Sequence, residues 1–293
     1  MRYTIRGIPP VLVPGIDKRR LMMTATPPKH LADVGYCWDG QAVNGQEALS
    51  PFGMGQGTRW FGLRRTCCMF HPHTPLIMEL LSDMEEVVCE ISKWDFVKVD
   101  TGSKGLGAPI GMHHDARIER KCEEAANVAR LSRDFPNIVA TYDDDLLGGI
   151  KTFNTTAEDY RAVPAAAKDI NPALRHWCVV YTHELKQDQW EPFLPSMDVI
   201  NLWVWNSQDI ADLERHMDEC RRIFPGKPIL MGCYLRDYTI LAGVPMDRLR
   251  RQWKLVARWV ADGTIAGYTI IGGCVLALQQ KEARWVRDFI RAH

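Results

Sequence analysis

The sequence has no excess of charge of either sign, because its 293 residues include 36 Lys and Arg against 36 Asp and Glu. Nucleic-acid-binding proteins usually have a basic stripe or a high pI, so no nucleic-acid partner is expected. Long apolar runs are also missing. No stretch reaches the ~18 apolar residues that indicate a membrane helix, so no membrane association is expected. The opening segment lacks the apolar core and cleavage site of a signal peptide, which favours a cytoplasmic location.

Several cofactor and metal motifs are missing as well. The nine cysteines follow no CxxC or Cys/His finger spacing and are interpreted as buried thiols in a reducing compartment. No GxGxxG follows the first predicted strand. The stretch TGSKGLGAPIG lacks the GK[ST] order of a P-loop and is interpreted as a flexible loop. We therefore expect no cofactor.

What the sequence does contain is an alternation of short apolar runs and helical patterns. The predicted strands are residues 21–26, 66–70, 87–92, 138–143, 177–183, 199–205, 228–235 and 266–271. The predicted helices are residues 75–86, 115–134, 157–169, 209–224, 245–261 and 281–292. Eight strands, most of them separated by helices, predict an α/β protein with a (β/α)8 TIM barrel. A doubly wound open sheet is the main alternative fold.

No low-complexity linker divides the chain, so residues 1–293 are predicted to form a single barrel domain. Residues 1–20 would be a leading segment packed against the barrel. Residues 27–62 would be a long first βα loop, and loops of that length are often functional lids. Tyr36 and Trp38 in this predicted loop are candidates to cover a substrate cleft.

Three consecutive aspartates follow the fourth predicted strand in the stretch ATYDDDLLGG. The active site of such barrels lies at the carboxyl ends of the strands. A carboxyl group crowded by a second one has a raised pKa, so one can stay protonated while its neighbour is ionised. Strand alternation places Asp143 and Asp145 on one side and Asp144 on the other, and either side could face the barrel axis. The alternative is that one of them caps the next turn.

Two further carboxylates follow other predicted strands. Glu184 ends the fifth strand and is a candidate acid or base, or else a surface residue that opens a polar loop. Asp237 ends the seventh strand beside Arg236. It is interpreted either as an ion-pair partner that fixes the loop or as a nucleophile or substrate-orienting acid.

Aromatic and basic side chains at the same strand ends are candidates for substrate binding. Trp203 and Trp205 share a strand phase, and an indole can stack on the apolar face of a sugar. Core packing is favoured for Trp203, whereas Trp205 lies nearer the barrel mouth. The other candidates are Tyr234, Arg236, Tyr238, His183 and Trp38.

Histidines near strand ends suggest a metal-dependent alternative. They are His71, His73, His113, His114 and His183, the last followed by Glu184. Imidazoles and carboxylates could bind a divalent metal, as in sugar isomerase and epimerase barrels. No HxxxH or HExxH spacing is present, so no metal site is predicted.

The adjacent aspartates at the end of the fourth strand, with acidic and aromatic residues at other strand ends, resemble the glycoside hydrolase type of (β/α)8 barrel. In particular, they are similar to substrate-assisted hexosaminidase barrels. Those families use one acid to orient a 2-acetamido group and the next as general acid/base. The resemblance therefore implies that the pair lies within Asp143, Asp144 and Asp145. Barrels with a glutamate acid on strand four and a glutamate nucleophile on strand seven are less similar, because aspartates occupy both places here.

The leading hypothesis is a carbohydrate-active enzyme that hydrolyses glycosidic bonds in a small-molecule substrate. One aspartate of the triplet would be the general acid, and Glu184 or a second aspartate would be the base, nucleophile or orienting group. The alternatives are a metal-dependent sugar isomerase or epimerase, and a non-catalytic sugar-binding barrel. The sequence leaves the oligomeric state open.

Overall fold

Eight parallel strands close into a barrel in the computed structural model, which describes residues 30–40, 52–69, 71–98, 110–273 and 275–293. In chain order the strands are β1 (Gly35–Asp39), β2 (Arg65–Cys68), β3 (Glu86–Glu90), β4 (Lys93–Lys98), β5 (Ile110–Asp115), β6 (Ile138–Asp143), β7 (Arg175–Tyr181), β8 (Val199–Trp203), β9 (Ile229–Tyr234), β10 (Arg236–Asp237), β11 (Ala242–Gly243) and β12 (Gly267–Ile271). The order around the barrel is β1, β2, β3, β6, β7, β8, β9 and β12, and β12 pairs with β1. The predicted (β/α)8 TIM barrel is confirmed.

Helices cover the outside of the barrel. They are α1 (Gln56–Phe61), α2 (Pro75–Leu80), α3 (Ile118–Asp134), α4 (Leu146–Phe153), α5 (Ala157–Tyr160), α6 (Ala162–Lys168), α7 (Gln187–Trp190), α8 (Leu213–Ile223), α9 (Met246–Asp262) and α10 (Gln280–Ala292). In α9, the buried residues Leu249, Trp253, Val256 and Val260 form one apolar stripe at helical spacing. Among the described helices, none is both long and apolar enough to cross a membrane.

The first strand is where the sequence prediction was wrong. Strand β1 lies inside the segment predicted as a loop, residues 27–62, and all five of its residues are buried. Its sequence, GYCWD, is short and mixes glycine with aromatics, which is why it was interpreted as loop. Trp38 is therefore a barrel-strand residue and not part of a lid. Residues 1–20 and the strand predicted at 21–26 lie outside the described residues.

Two insertions change the simple strand–helix alternation. The antiparallel hairpin of β4 and β5 follows β3, so the last two residues of the stretch TGSKGLGAPIG, Ile110 and Gly111, lie in a strand and not in the predicted loop. Residues 99–109 of that stretch lie outside the described residues. The short helix α4 follows β6 directly, and the helix predicted at 157–169 is divided into α5 and α6.

An aromatic cluster fills the barrel interior below the mouth. Trp38 makes edge contacts with Tyr142 and with Trp203, with ring centroids 5.4 Å and 5.0 Å away. Such contacts add about 0.5–1.5 kcal/mol each beyond area burial. A Cβ on Gly232 would lie 2.0 Å from the Trp203 ring, so glycine at this position makes room for the indole.

A polar group at the centre of the interior fixes this cluster. The Asn201 side-chain oxygen accepts hydrogen bonds from the Tyr142 hydroxyl at 2.6 Å and the Thr269 hydroxyl at 2.9 Å. Its amide donates to the Leu230 carbonyl at 3.1 Å. Buried polar groups need such partners because an unsatisfied one costs free energy. Tyr142 therefore points into the barrel, and strand alternation from Tyr142 sets the directions of the next two residues, Asp143 and Asp144.

Eight cysteines fall within the described residues, and all eight are free thiols. Seven of them are buried. The interpretation of the cysteines as buried thiols is confirmed for those seven.

Candidate functional site

The three aspartates after Tyr142 lie in three different environments. Tyr142 faces the interior, so Asp143 faces the surrounding helices and Asp144 faces the interior again. Asp145 leaves the strand with a left-handed backbone, at φ 48°, and precedes α4. Aspartate tolerates this conformation better than most residues. The sharp turn places its side chain at the rim of the barrel.

Asp143 belongs to a buried network between the barrel and its helices. Its Oδ1 accepts hydrogen bonds from Lys121 Nζ at 2.7 Å and from Ser92 Oγ at 2.6 Å, and its Oδ2 accepts one from the Tyr160 hydroxyl at 2.6 Å. Burial alone would raise the pKa of Asp143, but the Lys121 charge and these hydrogen bonds lower it overall. The contacts join α3, α5 and the end of β3 to β6.

The network continues to a neutral histidine. The Thr141 hydroxyl lies 2.8 Å from His176 Nδ1, and the Tyr160 hydroxyl lies 2.7 Å from His176 Nε2. Because Tyr160 donates its proton to Asp143, His176 must donate from Nε2 and accept at Nδ1. Burial lowers the pKa of His176 to about 4, which agrees with that neutral form. The structure thus gives Asp143 partners on the helix side of the strand, away from the barrel axis.

Asp144 is a carboxyl group enclosed in the barrel mouth, with 5% of its surface exposed. Burial, followed by the charges of Asp145 and Glu90, raises its pKa well above the usual value for aspartate. Ser92 holds the backbone of Asp144 in place. The Ser92 Oγ accepts a hydrogen bond from the Asp144 N–H at 3.1 Å and lies 3.0 Å from the Asp144 carbonyl oxygen. The same Ser92 contacts Asp143, so the buried network also fixes the position of Asp144.

Glu90 is a site residue that the sequence interpretation missed. It pairs in parallel register with Tyr142, so its side chain also faces the interior, and it is fully buried. His73 Nε2 lies 2.5 Å from the Glu90 carbonyl and supports the strand end from outside. The signal was available in the sequence, because a glutamate interrupts the otherwise apolar run VVCEI in the strand phase of Val88.

Asp145 forms part of the wall of a cleft of about 440 Å³. Its Oδ1 accepts a hydrogen bond from the Tyr181 hydroxyl at 2.7 Å. The lining residues are Asp145, Gly148, Gly149, Thr152, Phe153, Tyr181, His183, Glu184 and Trp205. The cleft therefore lies above the ends of β6, β7 and β8, on the face where barrel active sites occur.

Glu184 and His183 enter this cleft from the short helix Thr182–Glu184 after β7. Glu184 Oε2 accepts from the Tyr181 backbone N–H at 3.1 Å. Partial burial raises the pKa of Glu184, and the Asp145 charge adds to that effect. His183 stacks on Tyr181 at 5.4 Å, and burial lowers its pKa, so it is predominantly neutral at neutral pH. Tyr181 therefore links both carboxylates of the cleft.

The predicted aromatic residues divide into an interior group and a rim group. Trp203 is fully buried, which agrees with core packing, and Tyr234 packs on it at 4.6 Å. Trp205 is 43% exposed in the cleft and stacks on Tyr238 at 5.5 Å and 15°. An exposed indole backed by a second ring is a suitable platform for an apolar ligand face. Trp38 is buried among the interior rings and does not cover the cleft.

Asp237 joins two loops at the mouth. Its Oδ2 accepts from the Ser207 N–H at 3.3 Å, and its Oδ1 accepts from Thr239 N at 2.8 Å and Thr239 Oγ1 at 2.6 Å. Burial raises the pKa of Asp237, but these hydrogen bonds lower it overall. Its neighbour Arg236 is buried in β10. Neither residue lines the cleft that contains Asp145.

No group of three or more His, Cys, Asp or Glu side chains could hold a metal ion within the described part of the chain. His73 is buried, with Nδ1 at 3.6 Å from Cys68 Sγ. His183 faces Tyr181 in the cleft. The side chains of His113 and His114 lie outside the described residues.

The sequence matches no family model, and it matches no curated protein. Solved structures, however, share the fold. A β-glucuronidase from Bacteroides uniformis has a TM-score of 0.52 at 11% identity, over 83% of this chain and 30% of that chain. A protein proposed to be an α-L-fucosidase, from Bacteroides thetaiotaomicron VPI-5482, has a TM-score of 0.57 at 10% identity, over 97% and 100%. A chitinase from Chromobacterium violaceum ATCC 12472 has a TM-score of 0.51 at 9% identity, over 89% and 100%.

All three similarities have low sequence identity, and one of them covers only part of the larger protein. This chain spans only 30% of the length of the β-glucuronidase. At identities of 9–11% the likeness shows the fold alone. The chain therefore has a (β/α)8 barrel of the kind that glycoside hydrolases also use.

Proposed function

We propose that this chain hydrolyses glycosidic bonds, with Asp144 as the general acid and Asp145 as its partner carboxylate. One observation carries the proposal: two adjacent acids lie in contrasting environments, the first enclosed in the barrel mouth and the second in the wall of an aromatic cleft. Glycoside hydrolysis needs one protonated and one ionised carboxyl group. The fold shared with glycoside hydrolases agrees with this proposal.

The acid role follows from the surroundings of Asp144. Burial and the charges of Asp145 and Glu90 raise the pKa of Asp144 and so favour its protonated form. In the proposed step the Asp144 proton moves to the glycosidic oxygen while the bond from that oxygen to the anomeric carbon breaks. A second carboxylate, Asp145 or Glu184, then attacks the anomeric carbon or deprotonates the water that does so.

The substrate-binding role follows from the shape and lining of the cleft. Trp205 presents an exposed indole, and Tyr238 supports it from behind. Apolar faces of sugar rings can pack on such a surface, while a few polar groups fix their orientation. Glu184 and His183 are the polar groups placed to bind sugar hydroxyls.

The test is hydrolysis of a panel of phenyl glycosides, including 2-acetamido sugars, by the wild-type chain and two variants. We expect Asp144→Asn and Asp145→Asn each to lower kcat by about 10²–10⁴-fold, the usual size of an acid–base contribution. The exposed Asp218 on α8 provides the matched control, and Asp218→Asn should leave kcat unchanged. Calorimetric titration with the unmodified sugar should show nearly unchanged affinity in all variants.

Two results would contradict the proposal. The first is a wild-type chain that hydrolyses no glycoside of the panel while still binding sugar, because that combination indicates a sugar-binding barrel without catalysis. The second is hydrolysis that persists at the wild-type rate in both Asp144→Asn and Asp145→Asn.

A further inference from the structure

We infer that the substrate is an uncharged oligosaccharide, which extends from the cleft of Asp145 across Phe153 into a second cleft. This inference rests on the proposed function and adds a substrate class to it. The second cleft also has a volume of about 440 Å³. Its lining residues are Arg117, Ile118, Glu119, Phe153, Asn154, Thr155, Glu158, Asp159 and Ala162.

The two clefts share one wall residue. Phe153 ends α4 and lines both clefts, and 37% of its surface is exposed. Helix α4 begins directly after Asp145, so the ring stands eight residues beyond the proposed catalytic pair, at the far end of a short helix. The exposed aromatic ring of Phe153 can pack against the apolar face of a sugar ring. A sugar ring seated over Phe153 would connect a unit in the first cleft to a unit in the second.

The second cleft offers hydrogen-bonding groups that suit sugar hydroxyls. Asn154 is exposed and has a left-handed backbone at φ 50°, which turns the chain sharply after α4. Thr155 next to it is half-buried. Arg117 is held by Asp115 through hydrogen bonds of 2.9 Å and 2.6 Å, which use two of its five N–H groups. The remaining donors of that fixed guanidinium are available to hydroxyl oxygens.

The charge of the second cleft favours an uncharged ligand. Its ionisable lining residues are three acids, Glu119, Glu158 and Asp159, and one base, Arg117. Arg117 is paired with Asp115, and Glu158 is paired with Arg161, which makes four carboxylates against two guanidinium groups around this cleft. A uronic acid or a sulfated sugar would therefore meet a net negative surface, whereas a neutral sugar would not.

The experiment measures binding as a function of chain length. The probes are neutral gluco-, xylo-, manno- and chito-oligosaccharides of two to six units, together with uronic-acid oligosaccharides of the same lengths. Kd is measured by calorimetry with the full chain carrying Asp144→Asn. For the series that binds, we expect affinity to rise about tenfold between the disaccharide and the length that reaches the second cleft. A gain of this size is typical of one well-packed contact between ligand and protein. Cleavage by the wild-type chain should show the same length dependence in kcat/KM.

Two variants test the second cleft directly. Asn154→Gly keeps the left-handed backbone but removes the amide, and Thr155→Val keeps the shape but removes the hydroxyl. Both variants should weaken the binding of the longer oligosaccharides several-fold and leave the Kd of the disaccharide unchanged. Thr264→Val, in the loop before β12 at the opposite end of the barrel, is the matched control.

Affinity that does not change with chain length would overturn the inference, and so would variants that weaken all lengths equally. Tighter binding of uronic-acid oligosaccharides than of neutral ones would overturn the assignment of an uncharged ligand. Failure of this inference is distinguishable from failure of the proposed function. In the first case glycosides are still hydrolysed through Asp144 but without length dependence. In the second, either no glycoside is hydrolysed or hydrolysis persists in both Asp144→Asn and Asp145→Asn.

Discussion

At the scale of single residues, three identical side chains in a row have three different roles because a strand alternates its faces. Asp143 faces outward to Lys121 and keeps a lowered pKa. Asp144 faces the interior, where burial and like charges raise its pKa. Asp145 turns away in a left-handed conformation and reaches the cleft. The chemical difference comes from position and surroundings, since the residue type is the same.

A prediction at this scale concerns Glu90, whose charge helps to raise the pKa of Asp144. Glu90→Gln removes that negative charge and keeps the side-chain shape, so the pKa of Asp144 should fall. A general acid works in its protonated form, and activity is lost as the pH rises through its pKa. The high-pH limb of the kcat/KM profile should therefore move to lower pH.

The control for that experiment is Glu191→Gln, at an exposed glutamate after α7. It should leave the pH profile unchanged. If the high-pH limb of the kcat/KM profile does not move in Glu90→Gln, the pKa that determines this limb does not belong to Asp144.

At the scale of elements, one buried ion pair attaches helix α3 to strand β6. Lys121 is 1% exposed and Asp143 is fully buried, and their charged atoms are 2.7 Å apart. Tyr160 brings α5 to the same carboxylate. Removing one partner of a buried pair leaves an uncompensated charge, which is far more costly than the net value of the pair itself.

Lys121→Met should therefore lower the free energy of unfolding by about 3–5 kcal/mol, as measured by urea denaturation at pH 7. Because the folded-state pKa of Asp143 is lowered, its contribution is present at neutral pH and is lost as the pH falls through that pKa. The destabilisation should accordingly shrink in acid. Lys254→Met, at an exposed position of α9, should change stability little. An equally small effect for Lys121→Met would show that the pair is not a structural link.

At the scale of the whole molecule, the sequence was sufficient to predict the barrel and seven of its strands. Those strands are apolar runs bounded by clear helical patterns, and the fourth matches its predicted bounds, Ile138–Asp143. Strand β1 was missed because it is only five residues long, begins with Gly35, ends with Asp39 and lies within a long glycine-rich stretch. Its assignment depends on pairing with β2 and β12, which are distant in sequence.

The candidate site was predicted in part for the same reason. Asp145, Glu184, His183 and Trp205 lie together in the cleft, as strand-end positions suggested. The local sequence pattern could not show which of Asp143 and Asp144 faces the barrel interior. That direction depends on where the neighbouring Tyr142 side chain packs in the barrel. Phe153 was missed because it belongs to α4, a helix inserted between the strand and the helix predicted to follow it.

The most direct measurement of the central claim is the dependence of Asp144→Asn on the leaving group. A phenyl glycoside needs a proton on its departing oxygen, whereas a 2,4-dinitrophenyl glycoside of the same sugar does not. If Asp144 is the general acid, the variant should lose about 10²–10⁴-fold in kcat/KM on the phenyl glycoside and little on the dinitrophenyl glycoside. Equal losses on both substrates would contradict that role and would indicate that Asp144 acts in another way.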